Sequence, residues 1–191
     1  MATNKHILVW DPLVRIFHWA LAGSFAAAYL TEDHFLTMHS WLGYLAIVLI
    51  SVRLIWGFFG TRHARFSDFV YRPSVVIRYL QTVVAFRAAR HVGHNPAGGY
   101  MVLALMSLVL LTSMSGVAAY GIQEFSGPLA PYVADLPHSW GEAAEDLHEL
   151  LANLAVLLIG LHLVGVAVAS AQHQENLVRA MLTGRKISEN S

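Results

Sequence analysis

The 191-residue chain is 56% hydrophobic and only 13% charged, with a mean hydropathy of +0.52, and this composition favours a membrane protein with one compact domain over residues 1–191. Its net charge is zero, which gives a nucleic-acid partner no electrostatic support. Cysteine is absent, which excludes disulfides, cysteine-ligated iron–sulfur clusters and covalently attached c-type haem.

Four apolar stretches are long enough to cross a membrane as helices. They cover residues 13–30, 39–59, 99–120 and 147–171. The sequence therefore predicts an all-α polytopic membrane protein, a bundle of four transmembrane helices. After Pro73, apolar residues recur at helical spacing between several arginines, which predicts an amphipathic helix lying on the membrane surface. A solvated helix or a plain loop is the alternative for that segment.

Positive charge falls on one side of this topology. All twelve Lys and Arg residues flank the start of the first span, lie at the end of the second span or in the segment after it, or follow the fourth span. They are Lys5, Arg15, Arg53, Arg62, Arg65, Arg72, Arg78, Arg87, Arg90, Arg179, Arg185 and Lys186. The positive-inside rule makes this side cytoplasmic, so both termini are predicted to be inside. The opposite connections carry Glu32, Asp33, Glu124, Asp135, Glu142, Glu145 and Asp146.

The fourth span carries two histidines, His148 and His162, on one helical face. They are fourteen residues apart, which on a helix is about 21 Å along the axis and within about 40° of the same direction. His39 matches the predicted depth of His148, and His18 matches that of His162. Packing or a helix-end hydrogen bond would explain any one of these histidines. Four of them at two matched depths indicate axial ligands for two b haems, an outer pair (His39 and His148) and an inner pair (His18 and His162).

Other polar residues are candidates for supporting roles. Arg53 follows His39 by fourteen residues and shares its helical face, so it is predicted near the inner pair, where it could neutralise a haem propionate. Arg15 could do the same from the first span, and a snorkelling anchor is the alternative for both arginines. His94 and His138, near the membrane edges, are candidates for accepting a proton from a quinol.

Several motifs resemble those of a known family. They are Val9-Trp-Asp-Pro-Leu-Val-Arg-Ile-Phe-His-Trp19, His39-Ser-Trp-Leu-Gly43, Gly93-His-Asn-Pro96, and His148-Glu-Leu-Leu-Ala-Asn153 with Leu161-His162. With them, nearly the whole chain resembles the bacterial cytochrome b561 and nickel–iron hydrogenase cytochrome b superfamily. That resemblance implies a four-helix domain of the bacterial inner membrane that holds two non-covalent b haems and exchanges electrons with the quinone pool. It also implies that His18 and His162 bind the inner haem and His39 and His148 the outer one.

Two functions are compatible with this resemblance, and the membrane lipid is a partner in both. In the first, the protein conducts electrons between quinone and a periplasmic redox partner, such as a c-type cytochrome or a hydrogenase, and has no catalytic residue beyond the haem ligands. In the second, it is a quinone-linked oxidoreductase that acts directly on a small oxidant such as superoxide. The predicted outer loops contain acids but no Lys or Arg, which favours a basic partner over an anion.

Overall fold

The structure is a computed structural model that describes residues 6–32 and 34–188. Lys5 and Asp33, which contribute to the charge pattern above, lie outside the described residues. The elements in chain order are β1 (His6–Leu8), α1 (Pro12–Thr31), α2 (Leu36–Phe59), a single 3-10 turn (Arg62–Ala64), α3 (Phe66–Phe69), α4 (Pro73–Val84), α5 (Pro96–Gln123), α6 (Ala130–Val133), α7 (His138–His173), α8 (Leu177–Thr183) and β2 (Arg185–Ile187). The two short strands pair antiparallel, with Ile7 opposite Lys186.

Four of these helices, α1, α2, α5 and α7, are long and apolar enough to cross a membrane. Large apolar side chains cover much of their exposed surface, and Ile55, Phe58, Leu157 and Leu163 are each more than half exposed. Apolar exposure on this scale suits contact with lipid hydrocarbon rather than with water. The prediction of a four-span helical protein is therefore confirmed, with somewhat wider bounds for every span.

Helix α7 departs most from its predicted bounds. The prediction begins it at residue 147, whereas the helix begins at His138 and runs for 36 residues. At 1.5 Å per residue it is about 54 Å long, well beyond the hydrocarbon core of about 30 Å. Its first turns carry Glu142 and Glu145 with two alanines between them, and these residue types form helices readily. Charge therefore marks where the apolar stretch begins, but not where the helix begins.

Side-chain caps fix the starts of two long helices. Asp11 Oδ1 accepts a hydrogen bond from the Val14 amide at 2.9 Å, at the start of α1. Asn95 Oδ1 accepts one from the Gly98 amide at 2.7 Å, and Pro96 is the first residue of α5. Each cap satisfies an amide that the helix itself leaves unbonded.

Helix α4 confirms that the segment after Pro73 is helical and amphipathic. Val76 and Tyr79 are buried, whereas Ile77 and Leu80 are about half exposed. Apolar residues exposed beside arginines are typical of helices that lie in a membrane interface. Its location on the membrane surface stays a prediction.

The chain divides into two compact units. The first comprises Met1–Phe17, Arg53–Ala104 and Gly160–Ser191, and the second comprises His18–Val52 and Leu105–Ile159. Every Lys and Arg residue that the structure describes belongs to the first unit, and the sequence of the second unit contains none. The candidate ligands His18, His39 and His148 belong to the second unit, and His162 belongs to the first.

Candidate functional site

The imidazole rings of His39 and His148 face each other within the second unit. Their centroids are 5.7 Å apart and their planes are inclined at 78°. A metal ion held between two imidazoles separates the ring centroids by roughly 6 Å, from two metal–nitrogen bonds of about 2 Å and the radius of each ring. The structure therefore brings together the two residues predicted to bind the outer haem, at a spacing that suits shared ligation.

A backbone hydrogen bond orients each of these rings. His39 Nδ1 donates to the Ala28 carbonyl at 2.9 Å, and His148 Nδ1 donates to the Thr112 carbonyl at 2.7 Å. A carbonyl oxygen only accepts, so the hydrogen of each neutral ring lies on Nδ1. Nε2 then keeps its lone pair for a metal, which is the usual arrangement of a metal-binding histidine. Sequence reasoning missed both carbonyls, because every residue has one and no side-chain pattern marks them.

A cavity of about 660 Å³ adjoins the two histidines within the second unit. Helices α1, α2, α5 and α7 all contribute to its wall, and Leu42, Ala46 and Val109 are among its apolar lining residues. Pockets that bind cofactors typically measure about 300–1,000 Å³ and are mostly apolar with a few oriented polar groups. Both the size and the donor set of this cavity therefore fit a b haem.

Helix α5 approaches the ring of His148 at Gly116. A Cβ atom on this residue would lie 2.7 Å from His148 Cε1 and 2.8 Å from its Nδ1. Carbon atoms in favourable contact are about 3.5–4.0 Å apart. Glycine is therefore needed at this position for the imidazole to keep its place. Sequence analysis could not predict this role, because the predicted third span contains no histidine.

The charged residues that line this cavity are all acidic: Glu32, Glu124, Glu145 and Glu149. The Tyr44 hydroxyl, also at the cavity wall, is buried and has no hydrogen-bond partner in the described part of the chain. The polar groups that this cavity offers to a ligand are therefore neutral donors or carboxylates.

A sequence model of the prokaryotic cytochrome b561 family matches residues 9–184. The chain belongs to this family. This cytochrome b561 is accordingly a multi-pass helical protein of the inner membrane that binds haem b and takes part in electron transfer. Comparisons with curated proteins and with solved structures find no significant match.

The inner histidines of this cytochrome b561 belong to different units. His18 lies in the second unit, with its ring edge-on to Trp19 at a centroid distance of 5.0 Å. His162 lies in the first unit, within the last third of α7. Both side chains are partly buried. The pairing of His18 with His162 stays a prediction.

Arg53 is among the most deeply buried side chains of the first unit, with 2% of its surface exposed. Its Nη2 donates to the Ala64 carbonyl at 2.9 Å, and its guanidinium carbon lies 5.4 Å from the centroid of the Phe66 ring. Its Nη1 is buried without a partner among residues 6–32 and 34–188. This burial excludes a snorkelling anchor, whose charged group lies in water.

Arg15 is engaged differently from Arg53. Its Nη1 donates to the Leu182 carbonyl, at a distance of 2.8 Å, and so ties the start of α1 to the end of α8 in the first unit. This contact gives Arg15 a structural role, because it satisfies one of the carbonyls that a helix end leaves unbonded. Its predicted contact with a haem propionate remains a prediction.

His94 does not suit a proton-accepting role. Its ring lies between those of Trp10 and Phe69, each at a centroid distance of 4.5 Å. Burial, followed by nearby positive charge, lowers its pKa to about 3. An effective proton acceptor has a pKa nearer the working pH, so this imidazole stays neutral. His138, the other candidate, is exposed, and its Nδ1 lies 3.5 Å from Glu142 Oε1.

Proposed function

We propose that this cytochrome b561 carries electrons across the inner membrane between the quinone pool and a basic periplasmic redox protein, by means of two b haems. The observation that carries the proposal is the facing pair of His39 and His148, whose Nδ1 atoms are both bonded to backbone carbonyls. His18 and His162 are proposed to bind the second haem. Their spacing along the sequence and the predicted topology support this assignment.

The donor set indicates electron transfer. Haem iron with two imidazole ligands exchanges single electrons and offers no open coordination position to a substrate. The chain's own contribution is to hold the imidazoles rigidly, through the Ala28 and Thr112 carbonyls, and to enclose them in apolar side chains. A rigid, preorganised site keeps the ligands in place when the charge of the metal changes.

The charge of the second unit supports a cationic partner. Its described acids are Glu32, Glu124, Asp135, Glu142, Glu145, Asp146 and Glu149, and it contains no Lys or Arg. Such a surface attracts a basic redox protein, for example a basic c-type cytochrome, and repels an anion such as superoxide. This charge pattern is why we favour transfer to or from a protein over direct reaction with a small anionic oxidant.

The partner proposal predicts a salt-dependent electron transfer. Neutralising Glu142 and Glu145 together, as E142Q/E145Q, should slow oxidation of the quinol-reduced protein by a basic c-type cytochrome at low ionic strength. The same change should flatten the dependence of the rate on salt, because exposed charges are screened over about 8–10 Å near physiological ionic strength. Stopped-flow absorbance at several salt concentrations measures both effects.

The matched control is E142D/E145D, which keeps both charges and should behave like the wild-type protein. Unchanged rates and salt dependence in E142Q/E145Q would contradict docking at this acidic surface. Rapid oxidation by superoxide in that same variant would favour the small-oxidant enzyme instead.

The proposed orientation makes a separate prediction. Reporter fusions after Ser67 or after Ile187 should report a cytoplasmic location, and fusions after Gln123 a periplasmic one, because the basic segments remain inside. Alkaline phosphatase and green fluorescent protein fusions at the same sites provide opposite readouts. A periplasmic signal at Ser67 would reverse the orientation and exchange the inner and outer pairs.

A further inference from the structure

Three polar side-chain atoms of the first unit are buried with no hydrogen-bond partner in the described chain: Arg15 Nε, Arg53 Nη1 and His94 Nδ1. Buried polar groups nearly always have partners, and a buried charge without a counter-ion is especially costly. None of these atoms has appreciable contact with solvent, so bulk water does not supply the missing bond. The atoms of Arg53 and His94 thus point to a polar group that the described residues do not provide.

Arg53 and His94 are linked through aromatic rings of the same unit. The Arg53 guanidinium carbon lies 5.4 Å from the centroid of the Phe66 ring, the Phe66 and Phe69 ring centroids are 5.7 Å apart, and those of Phe69 and His94 are 4.5 Å apart. Burial is the largest cause of the lowered pKa of His94, and the positive charges of Arg53 and Lys186 lower it further. His162, the candidate inner ligand, belongs to the same unit.

The acids that the structure describes in the first unit already have partners. Asp11 accepts hydrogen bonds from the Val14 amide, from Trp56 Nε1 at 3.0 Å and from Thr61 Oγ1 at 2.6 Å. The other two are engaged in ion pairs, Asp68 with Arg62 and His63, and Glu175 with Arg90 and Lys186. Lys186 and His63 thus have partner carboxylates, whereas Arg53 makes no salt bridge with a described residue and interacts with the charge of Asp11 only through space. An anionic group would complete this arrangement.

We propose that Arg53 Nη1 and His94 Nδ1 together bind one ionised carboxylate of the inner haem. A carboxylate accepts hydrogen bonds at both oxygens, and the planar guanidinium suits it particularly well. His94 takes part in the tautomer that carries its hydrogen on Nδ1, and the rings of Trp10 and Phe69 hold it in position. This inference rests on the proposed function and extends it by assigning His94 as a cofactor-binding residue.

The second unit offers no comparable site among its described residues. It contains no Lys or Arg, and the orphaned donor at its cavity is the neutral Tyr44 hydroxyl. A carboxylate gains less from a neutral donor than from a guanidinium. Binding of the inner haem should thus depend on ionised carboxylates, and binding of the outer haem should depend on them much less.

Haem b dimethyl ester tests this difference, because both of its carboxyl groups are uncharged. Haem-free protein is titrated with haem b or with the ester in two backgrounds, His39→Ala to leave the inner pair and His18→Ala to leave the outer pair. In the inner-only background the ester should bind on the order of tenfold to a hundredfold more weakly than haem b, as expected for loss of hydrogen bonds to a charged group. In the outer-only background, the affinity for haem b should exceed the affinity for the ester by a much smaller factor.

Three substitutions in the inner-only background assign this preference to residues. Arg53→Gln and His94→Leu should each reduce the ratio of haem to ester affinity, and His94→Asn should restore part of it, because its amide nitrogen can occupy the place of Nδ1. His63→Leu is the matched control, since His63 Nδ1 is already bonded to Asp68 Oδ2 at 3.0 Å. Circular dichroism and gel filtration verify that each variant is folded.

An unchanged ratio in both Arg53→Gln and His94→Leu, in protein that still binds haem, would overturn the carboxylate site alone. Failure of the inner-only background to bind haem b would refute the His18 and His162 pair, and the carboxylate site with it. These outcomes are distinguishable because the first keeps the characteristic bis-histidine haem spectrum and the second loses it.

Discussion

Replacing His148 by alanine is expected to halve the haem content of this cytochrome b561, from two b haems per chain to one. His148 faces His39 across 5.7 Å, and its Nδ1 bond to Thr112 leaves Nε2 for the metal. Removal of one axial imidazole takes away a metal–ligand bond and opens the site to water, and loss of metal-site support commonly costs 10–100-fold or more in affinity. Pyridine haemochrome analysis of purified protein measures the number of b haems per chain.

The companion substitution His39→Ala should give the same stoichiometry, because both residues are proposed to bind the same haem. His138→Ala, in the first turn of the same helix, is the control and should retain two haems, since His138 is exposed and interacts with Glu142. A wild-type ratio of one haem per chain, or retention of both haems in His148→Ala, would show that the outer pair is wrong.

Hydropathy and helical spacing were sufficient to predict the spans. The absence of charge over about twenty residues requires a helix in the membrane, since the backbone there must satisfy its own hydrogen bonds. Once the topology is set, depth alone brings His39 to the level of His148. The structure places these rings 5.7 Å apart, and their role as haem ligands stays a prediction. This part of the fold follows from patterns that act within single segments.

Hydropathy and helical spacing could not predict contacts between distant segments of the chain. Strand β1 pairs with β2 from the other end of the chain, and the Val9 and Trp10 amides both donate to the Gly184 carbonyl. Asp11 belongs to a sequence motif, yet its carboxylate accepts hydrogen bonds from Trp56, near the end of the second span, and from Thr61, just after that span. The strand pairing and the hydrogen bonds of Asp11 depend on which surfaces meet in the folded protein. Neither residue type nor periodicity indicates which surfaces those are.

Gly116→Ala is expected to weaken binding of the outer haem on the order of tenfold to a hundredfold, the cost of overpacking a tight contact. The added Cβ would lie 2.7 Å from His148 Cε1, and the neighbouring Thr112 carbonyl restrains the ring from turning aside. A loss of haem affinity could not be explained by a weakened helix, because replacing Gly by Ala within a helix otherwise stabilises the helix by about 1 kcal/mol. Titration of haem-free protein in the His18→Ala background measures the outer site alone.

Gly23→Ala provides the matched control, since Gly23 also lies in a helix of the second unit and nothing is found within 4 Å of a Cβ built on it. This variant should bind the outer haem as the wild type does. Gly116→Val should be worse than Gly116→Ala, because its branched side chain extends further towards the imidazole. Equal haem affinity in Gly116→Ala and Gly23→Ala would mean that His148 ligates from a different position, one in which its ring does not pack against α5.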